Sequence, residues 1–174
     1  MVLRVFPKHI VCLDFELFVT NSAWYGKHKH FFRKIYPKIN DDIKKIKANI
    51  GLKNFVILFR FLPKRLNGCT YPSTGFVYID PRRYTYDELL ITIIHEALHV
   101  KQIEDGKLKW DKKLRSRMWN NEPIDIIAAV NQLGYANRKL PWEIDVDKNQ
   151  NKVFRKVFKR KIPPMNPKMK CHTK

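Results

Sequence analysis

The segment His95-Glu96-Ala97-Leu98-His99 sets two imidazoles four residues apart with a carboxylate beside the first. On a helix, residues at this spacing share a face one turn apart. Both rings can then reach one Zn²⁺ at about 2.0–2.1 Å each. Glu96 would project beside the ion, where it could take a proton from a water that the metal has made acidic. The pattern predicts zinc-assisted hydrolysis with His95 and His99 as ligands and Glu96 as general base. That chemistry needs a helix through the motif, a third protein ligand and an open coordination position.

The helix has independent support. Leu89, Leu90, Ile93, Ile94, Ala97 and Leu98 recur at helical spacing and give it a buried stripe. Thr85 with Glu88 reads as a capping box at its start, and Asp105-Gly106 stops it after about Glu104. The stripe turns the histidine face away from the core, toward an expected cleft.

Three carboxylates compete for the third ligand position. The extended metzincin motif would need Gly at 102 and His at 105, where this chain has Gln102 and Asp105. Asp105 as ligand would require a sharp turn at Gln102, and nothing there favours one. Glu143 lies in Leu140-Pro141-Trp142-Glu143, where a proline at a helix start fixes an acid within the first turn of a second helix; this is similar to the gluzincin arrangement. Asp147, one turn further on the same face, could ligate instead or accept a hydrogen bond from a ligand's free N–H. Both acids also suit the positive end of a helix.

The rest of the chain reads as α+β. Val11 to Val19 alternates with period two, as a strand with one buried face does. Asn40 is placed to cap a helix through Ile43, Ile46 and Ile50 that Gly51 closes. Asn54 to Leu62 and Gly75 to Asp80 read as strands ended by Pro63 and Pro81, with Asn67 to Gly75 loop-like between them. Leu108 to Asn131 holds short strand pieces with a turn at Asn120-Asn121. Pro141 opens a last helix with Val153, Phe154, Val157, Phe158 and Ile162 as its apolar stripe. One domain is expected over residues 1–162, followed by a basic Pro- and Lys-rich tail over 163–174.

HEALHVKQ, followed about 40 residues later by Tyr135 and then LPWEID, resembles small zincin-like metallopeptidases of bacteriophage and bacterial genomes. Their pattern is HExxHxxQ, then an aromatic, then Pro-aromatic-Glu. The resemblance covers roughly Thr70 to Asp147. It implies a small mixed sheet packed on the HExxH helix, with a second helix carrying the third ligand. It implies His95, His99 and Glu143 as zinc ligands, Glu96 as base, Gln102 near a ligand, and Tyr135 as the aromatic. Asp147 stands where these proteins often have a small residue, so the division of roles between Glu143 and Asp147 stays open. Tyr135, Arg138 and Tyr71 are the polar donors that could stabilise an oxyanion. In such folds an edge strand pairs with an extended substrate, and the strand Gly75 to Asp80 is expected to be that edge.

The 174 residues carry 35 Lys and Arg against 16 Asp and Glu, a formal charge of +19. This excess favours polyanionic partners, either nucleic acid or an acidic protein surface. From Lys148 onward there is no acid, and basic residues flank Phe154 and Phe158. With 44% hydrophobic and 13% aromatic residues the chain is expected to fold. Three cysteines, Cys12, Cys69 and Cys171, form no CxxC pair, which argues against a cysteine zinc knuckle and fits a reducing compartment. Asp14 and Glu16 interrupt the apolar N-terminal segment, so neither a signal peptide nor a transmembrane span is expected, and a cytoplasmic location follows. The leading expectation is a zinc peptidase acting on a peptide or protein. A non-catalytic component of a virus particle on the same scaffold and a protease held on nucleic acid are the alternatives; the Asn- and Lys-rich composition suits an AT-rich phage genome.

Overall fold

The computed structural model describes residues 10–13, 16–19, 38–59, 68–71, 76–80, 85–111, 116–124 and 140–162. It is a mixed α+β fold of three helices and two small sheets. Strands β1 (Ile10–Leu13) and β2 (Glu16–Val19) are followed by helix α1 (38–50) and strands β3 (Val56–Phe59), β4 (Gly68–Tyr71) and β5 (Phe76–Ile79). Helix α2 (Tyr86–Glu104) then leads into β6 (Leu108–Asp111), β7 (Ser116–Trp119) and β8 (Glu122–Ile124), and helix α3 (Pro141–Phe158) comes last.

The first sheet has the order β2-β1-β3-β5-β4, with β3 and β5 parallel and the other pairs antiparallel. Its register places Gly68 and Thr70 opposite Ile79 and Val77, and Val77 and Ile79 opposite Ile57 and Phe59. Side chains two apart on a strand share a face. These residues therefore line the one face against which α2 packs. Ile57, Phe59, Val77 and Ile79 merge there with Ile39, Ile43 and Ile46 of α1, with the apolar side chains of α2 and with Phe154 of α3. A smaller cluster of Leu108, Leu140 and Trp142, edged by Ile103, Trp119 and Ile124, joins the second sheet to the start of α3.

Several sequence expectations change. The alternating segment from Val11 to Val19 is two strands and not one: β1 and β2 pair with Leu13 opposite Glu16, so the chain reverses between them. The alternation of residue types runs on through the reversal and hides it, but the register places Val11 and Leu13 on the opposite face from Leu17 and Val19. Asn40 lies inside α1, which includes residues 38 and 39, while Gly51 does end the helix with φ +72°. Residues 68–71, read as loop, form β4. This also moves the edge: β5 lies between β3 and β4, so among the described residues the outer strand is β4. Residues 60–67, 125–139 and 163–174 lie outside the described residues, and with them the end of the strand expected to reach Leu62 and the basic tail.

Helix α2 begins and ends where its capping signals put it. Thr85 Oγ1 accepts from Glu88 N, Glu88 Oε2 accepts from Thr85 N at 2.8 Å, and Asp105 and Gly106 close the helix. The expectation of an open histidine face is corrected. Residues on every side of α2 are buried, and α3 covers the side that carries His95 and His99. The Asn120-Asn121 turn joins β7 to β8 with both residues at positive φ, 51° and 68°, as a two-residue hairpin favours. No described helix is long and apolar enough to cross a membrane.

The capping box anchors the N-terminus of the helix that carries the motif. Thr85→Ala removes one half of it and leaves Glu88 without its Thr85 hydroxyl partner. We expect a loss of about 1 kcal/mol in stability, read as a lower urea midpoint at unchanged slope.

Candidate metal centre

His95 and His99 share one face of α2, and Glu143 enters from the first turn of α3. Pro141 is suited to that turn because it has no N–H to leave unsatisfied and its φ is already helical. Trp142, fully buried in the smaller cluster, pins the same turn to the second sheet. The next side chain along, Glu143, is thereby aimed at α2.

The three groups meet at one point. His95 Nε2 lies 3.3 Å from Glu143 Oε2, His99 Nε2 lies 3.4 Å from Glu143 Oε1, and the two Nε2 atoms are 3.3 Å apart. All three residues are buried, at 5–6% exposure. An ion bonded at about 2.0–2.1 Å to tetrahedrally disposed ligands spaces them roughly 3.3–3.4 Å apart. The contact between the two imidazole nitrogens matches that spacing, as does the contact of each with its own Glu143 oxygen; one ligand atom from each residue lies within 4.8 Å of the others, so the set could hold one metal ion.

Both imidazoles are oriented from behind. Gln102 Nε2 donates to Trp142 O at 3.0 Å and to Asp145 Oδ2 at 2.8 Å, which turns its Oε1 toward His99 Nδ1 at 2.9 Å. The amide oxygen can only accept, so His99 carries a proton on Nδ1 and turns Nε2 toward the cluster. Gln150 does the same for His95: its Nε2 donates to Asp147 Oδ1 at 3.3 Å and its Oε1 accepts from His95 Nδ1 at 3.2 Å. Carboxamides held by carboxylates thus fix both rings, one from α2 and one from α3.

Glu96 is 2% exposed and lies against the edge strand. Thr70 Oγ1 donates to its Oε2 at 2.7 Å. A Cβ on Gly68 would sit 2.8 Å from Glu96 Oε1 and 3.1 Å from its Cγ, so only glycine leaves room for this carboxylate. Burial raises the Glu96 pKa, and the nearby charges of His95 and His99 act against that rise. For Glu143, burial pushes the same way, yet the hydrogen bonds from His95 and His99 prevail and hold the carboxyl well below the usual range. Burial disfavours the His95 imidazolium, but the hydrogen bond to Glu143 and the charge of Glu96 outweigh it and carry the pKa up to about 9.

The competing ligands are elsewhere. Asp105 caps the end of α2 and pairs with Lys101 at 2.7 Å. Asp147 faces Gln150 and is a partner of the ring-orienting amide, outside the cluster. Tyr135 and Arg138 lie outside the described residues, and Tyr71 closes β4. Three contributors went unread in the sequence: Thr70 and Gly68, in a segment taken for loop, and Gln150, whose spacing of seven from Glu143 signals a shared helix face. Arg117 of β7 is a fourth. Its guanidinium lies 5.4 Å from the Trp142 ring, and burial lowers its pKa while the charge of Glu143 supports it. A comparison with protein families, with curated proteins and with solved structures returns no match for this chain.

Protons and a metal ion compete for His95 Nε2. Because its pKa is raised, the nitrogen holds a proton below about pH 9 and must release it to bind metal. Metal affinity should therefore fall about tenfold per pH unit as pH drops from 9 to 7, with about one proton released per ion. Calorimetry in two buffers of different ionisation enthalpy would measure the release. An affinity independent of pH over this range would contradict the assignment of His95 as a ligand.

Proposed function

We propose that this chain is a zinc-dependent peptidase of the zincin type, with His95, His99 and Glu143 as ligands and Glu96 as general base. The observation that carries the reading is the cluster of His95, His99 and Glu143, whose two Nε2 atoms lie 3.3 Å apart and each 3.3–3.4 Å from one oxygen of the Glu143 carboxylate, built on an HExxH helix with Glu96 fixed alongside. Two imidazoles and one carboxylate suit zinc, and a set of three leaves a position for water or substrate. Zinc bound there would acidify water and polarise a carbonyl.

The remaining chemistry belongs to the chain. Glu96, made more basic by burial, takes a proton from the attacking water and can return it to the leaving amine. Thr70 holds the carboxylate in place through one oxygen and leaves the other for the proton. Glu143 stays ionised throughout. Arg117 is a described cation whose charge acts at Glu143, and it joins Tyr135 as a candidate for stabilising the oxyanion. The outer strand β4 carries Thr70 and is the edge on which an extended peptide could add as a further strand.

One observation favours a second reading. His95, His99, Glu143 and Glu96 are each at most 6% exposed, as in a structural metal site on a scaffold without turnover. Such a site would have no use for a carboxylate held beside the ligands by Thr70.

Two experiments separate these readings. Purified protein should contain about one zinc, and His95→Ala, His99→Ala or Glu143→Ala should lose most of it, whereas Asp105→Ala should not. Elemental analysis that finds no zinc in wild-type protein prepared with zinc would end both. Glu96→Gln should keep the zinc and lose at least 10²-fold in cleavage of a mixed peptide library, the order that a general base contributes. Gly68→Ala should also keep zinc while displacing Glu96, with a fall in rate in the same direction. Zinc in place with no cleavage by the wild type would assign the site a structural role.

A further inference from the structure

Helix α3 commits its acids to hydrogen-bonding partners: Glu143 faces the imidazoles, Asp145 accepts from Gln102 and Asn149, and Asp147 accepts from Gln150. Its cations look outward. Lys148, Lys152 and Arg155 are exposed, as is Lys159 at the C-cap. At 3.6 residues per turn these four fall within an arc of about 60°. The arc is opposite Val146 and Phe154, which are buried in the core. The stripe runs for about 16 Å along the helix.

Stability does not account for it. Cations favour a helix C-terminus only within its last turn, and Lys148 and Lys152 lie well before that. Lys148 with Lys152, and Arg155 with Lys159, stack like charges four apart, which is unfavourable. Among the described residues none of the four has an acidic partner, while neighbouring Arg160 pairs with Asp87. A solitary exposed lysine is ordinary surface, but an aligned and unneutralised row on a chain of net charge +19 is a counter-surface for a polyanion. A lipid surface fits less well. A helix lying in a membrane needs a free apolar face, and α3 turns its apolar side into the core, with Ile144 its one large exposed apolar residue among those described. Duplex DNA carries one charge per about 1.7 Å of axis, so a row of this length runs past on the order of ten phosphates.

We propose that the outer face of α3, through Lys148, Lys152, Arg155 and Lys159, binds the phosphate backbone of a nucleic acid without reading its sequence. The contact is independent of the peptidase reading, because the stripe faces away from the metal centre.

The test measures fluorescence anisotropy of a short labelled DNA duplex with the full chain, over a series of salt concentrations. Wild-type affinity should fall steeply with salt, at a slope of about −0.9 per phosphate neutralised. The variant Lys148→Gln, Lys152→Gln, Arg155→Gln, Lys159→Asn should bind more than tenfold more weakly and flatten the slope by roughly 3–4. Asparagine is chosen at 159 because the backbone there is left-handed, φ 54°. Zinc content and circular dichroism should not change; if the fourfold variant fails to fold, Lys148→Gln with Lys152→Gln should give about half the slope change. A control with Lys38, Lys53, Lys107 and Lys109 all changed to Gln removes the same charge elsewhere and should lose less than threefold. Equal losses in the two sets would overturn the proposal in favour of net charge alone. So would a wild type that ignores duplex at low salt, whether or not it binds phosphatidylserine vesicles or an acidic protein.

Discussion

Helix α2 buries His95, Glu96, His99 and Gln102 within two turns, and that burial is the constraint on which the surrounding structure depends. A buried polar group without a partner costs about 1–3 kcal/mol, and a buried charge more. His99 finds one partner on α2 itself, in Gln102, and the others come from outside the helix. β4 supplies Thr70 for Glu96 and, at Gly68, the space that the carboxylate occupies. α3 supplies Glu143 for both imidazoles, Gln150 for His95, and the Trp142 carbonyl and Asp145 for Gln102. Removing any one of these would strand a charge or a donor in the interior. The polar residues of α2 thereby fix where the edge strand and the last helix must lie, as its apolar residues fix where the sheet lies.

The orienting shell is built from amides in a way that suits two histidines so close together. Carboxylates placed directly behind both rings would add two negative charges to a pocket that already holds Glu96 and Glu143. An amide accepts from the ring and donates onward, so the charges of Asp145 and Asp147 stay one bond further out, near the surface. Both rings are oriented while the interior charge stays close to what one cation can balance.

Much of this was legible in sequence because it rests on local rules. The capping box at Thr85, the stop at Asp105-Gly106, the Asn120-Asn121 turn and the proline start of α3 each depend on residues within one turn of one another. His95 and His99 are fixed by helix geometry alone, and the proximity of Glu143 was readable through the same proline. What could not be read depends on non-local packing. β4 is only four residues long and opens on a glycine and a cysteine, weak strand signals, because its role is to make room for Glu96 and, through Thr70, to bond to it. Nothing within 68–71 says that. Apolar residues recur at every second position through the reversal between β1 and β2 although their register switches faces there, so periodicity alone read one strand for two. The buried histidine face was missed for a related reason: an amphipathic pattern assumes that polar residues seek water, and here they seek α3.

Helix α3 completes the argument because it meets two opposite demands with one periodicity. Facing α2 it must carry acid, since the buried His95 imidazole, whose pKa is raised, needs a counter-charge. Its outer face has no such need, and in a chain of +19 a further row of cations there adds to self-repulsion. The acids at 143, 145 and 147 are committed to α2 or to Gln150 and cannot screen that row. The helix therefore holds Glu143 buried on one side and Lys148, Lys152, Arg155 and Lys159 in water on the other. A polyanion on the outer side would relieve the repulsion without reaching the ligands, so occupancy of one face has no direct electrostatic claim on the other beyond the width of the helix, about 10 Å, which is comparable to the screening length at physiological salt.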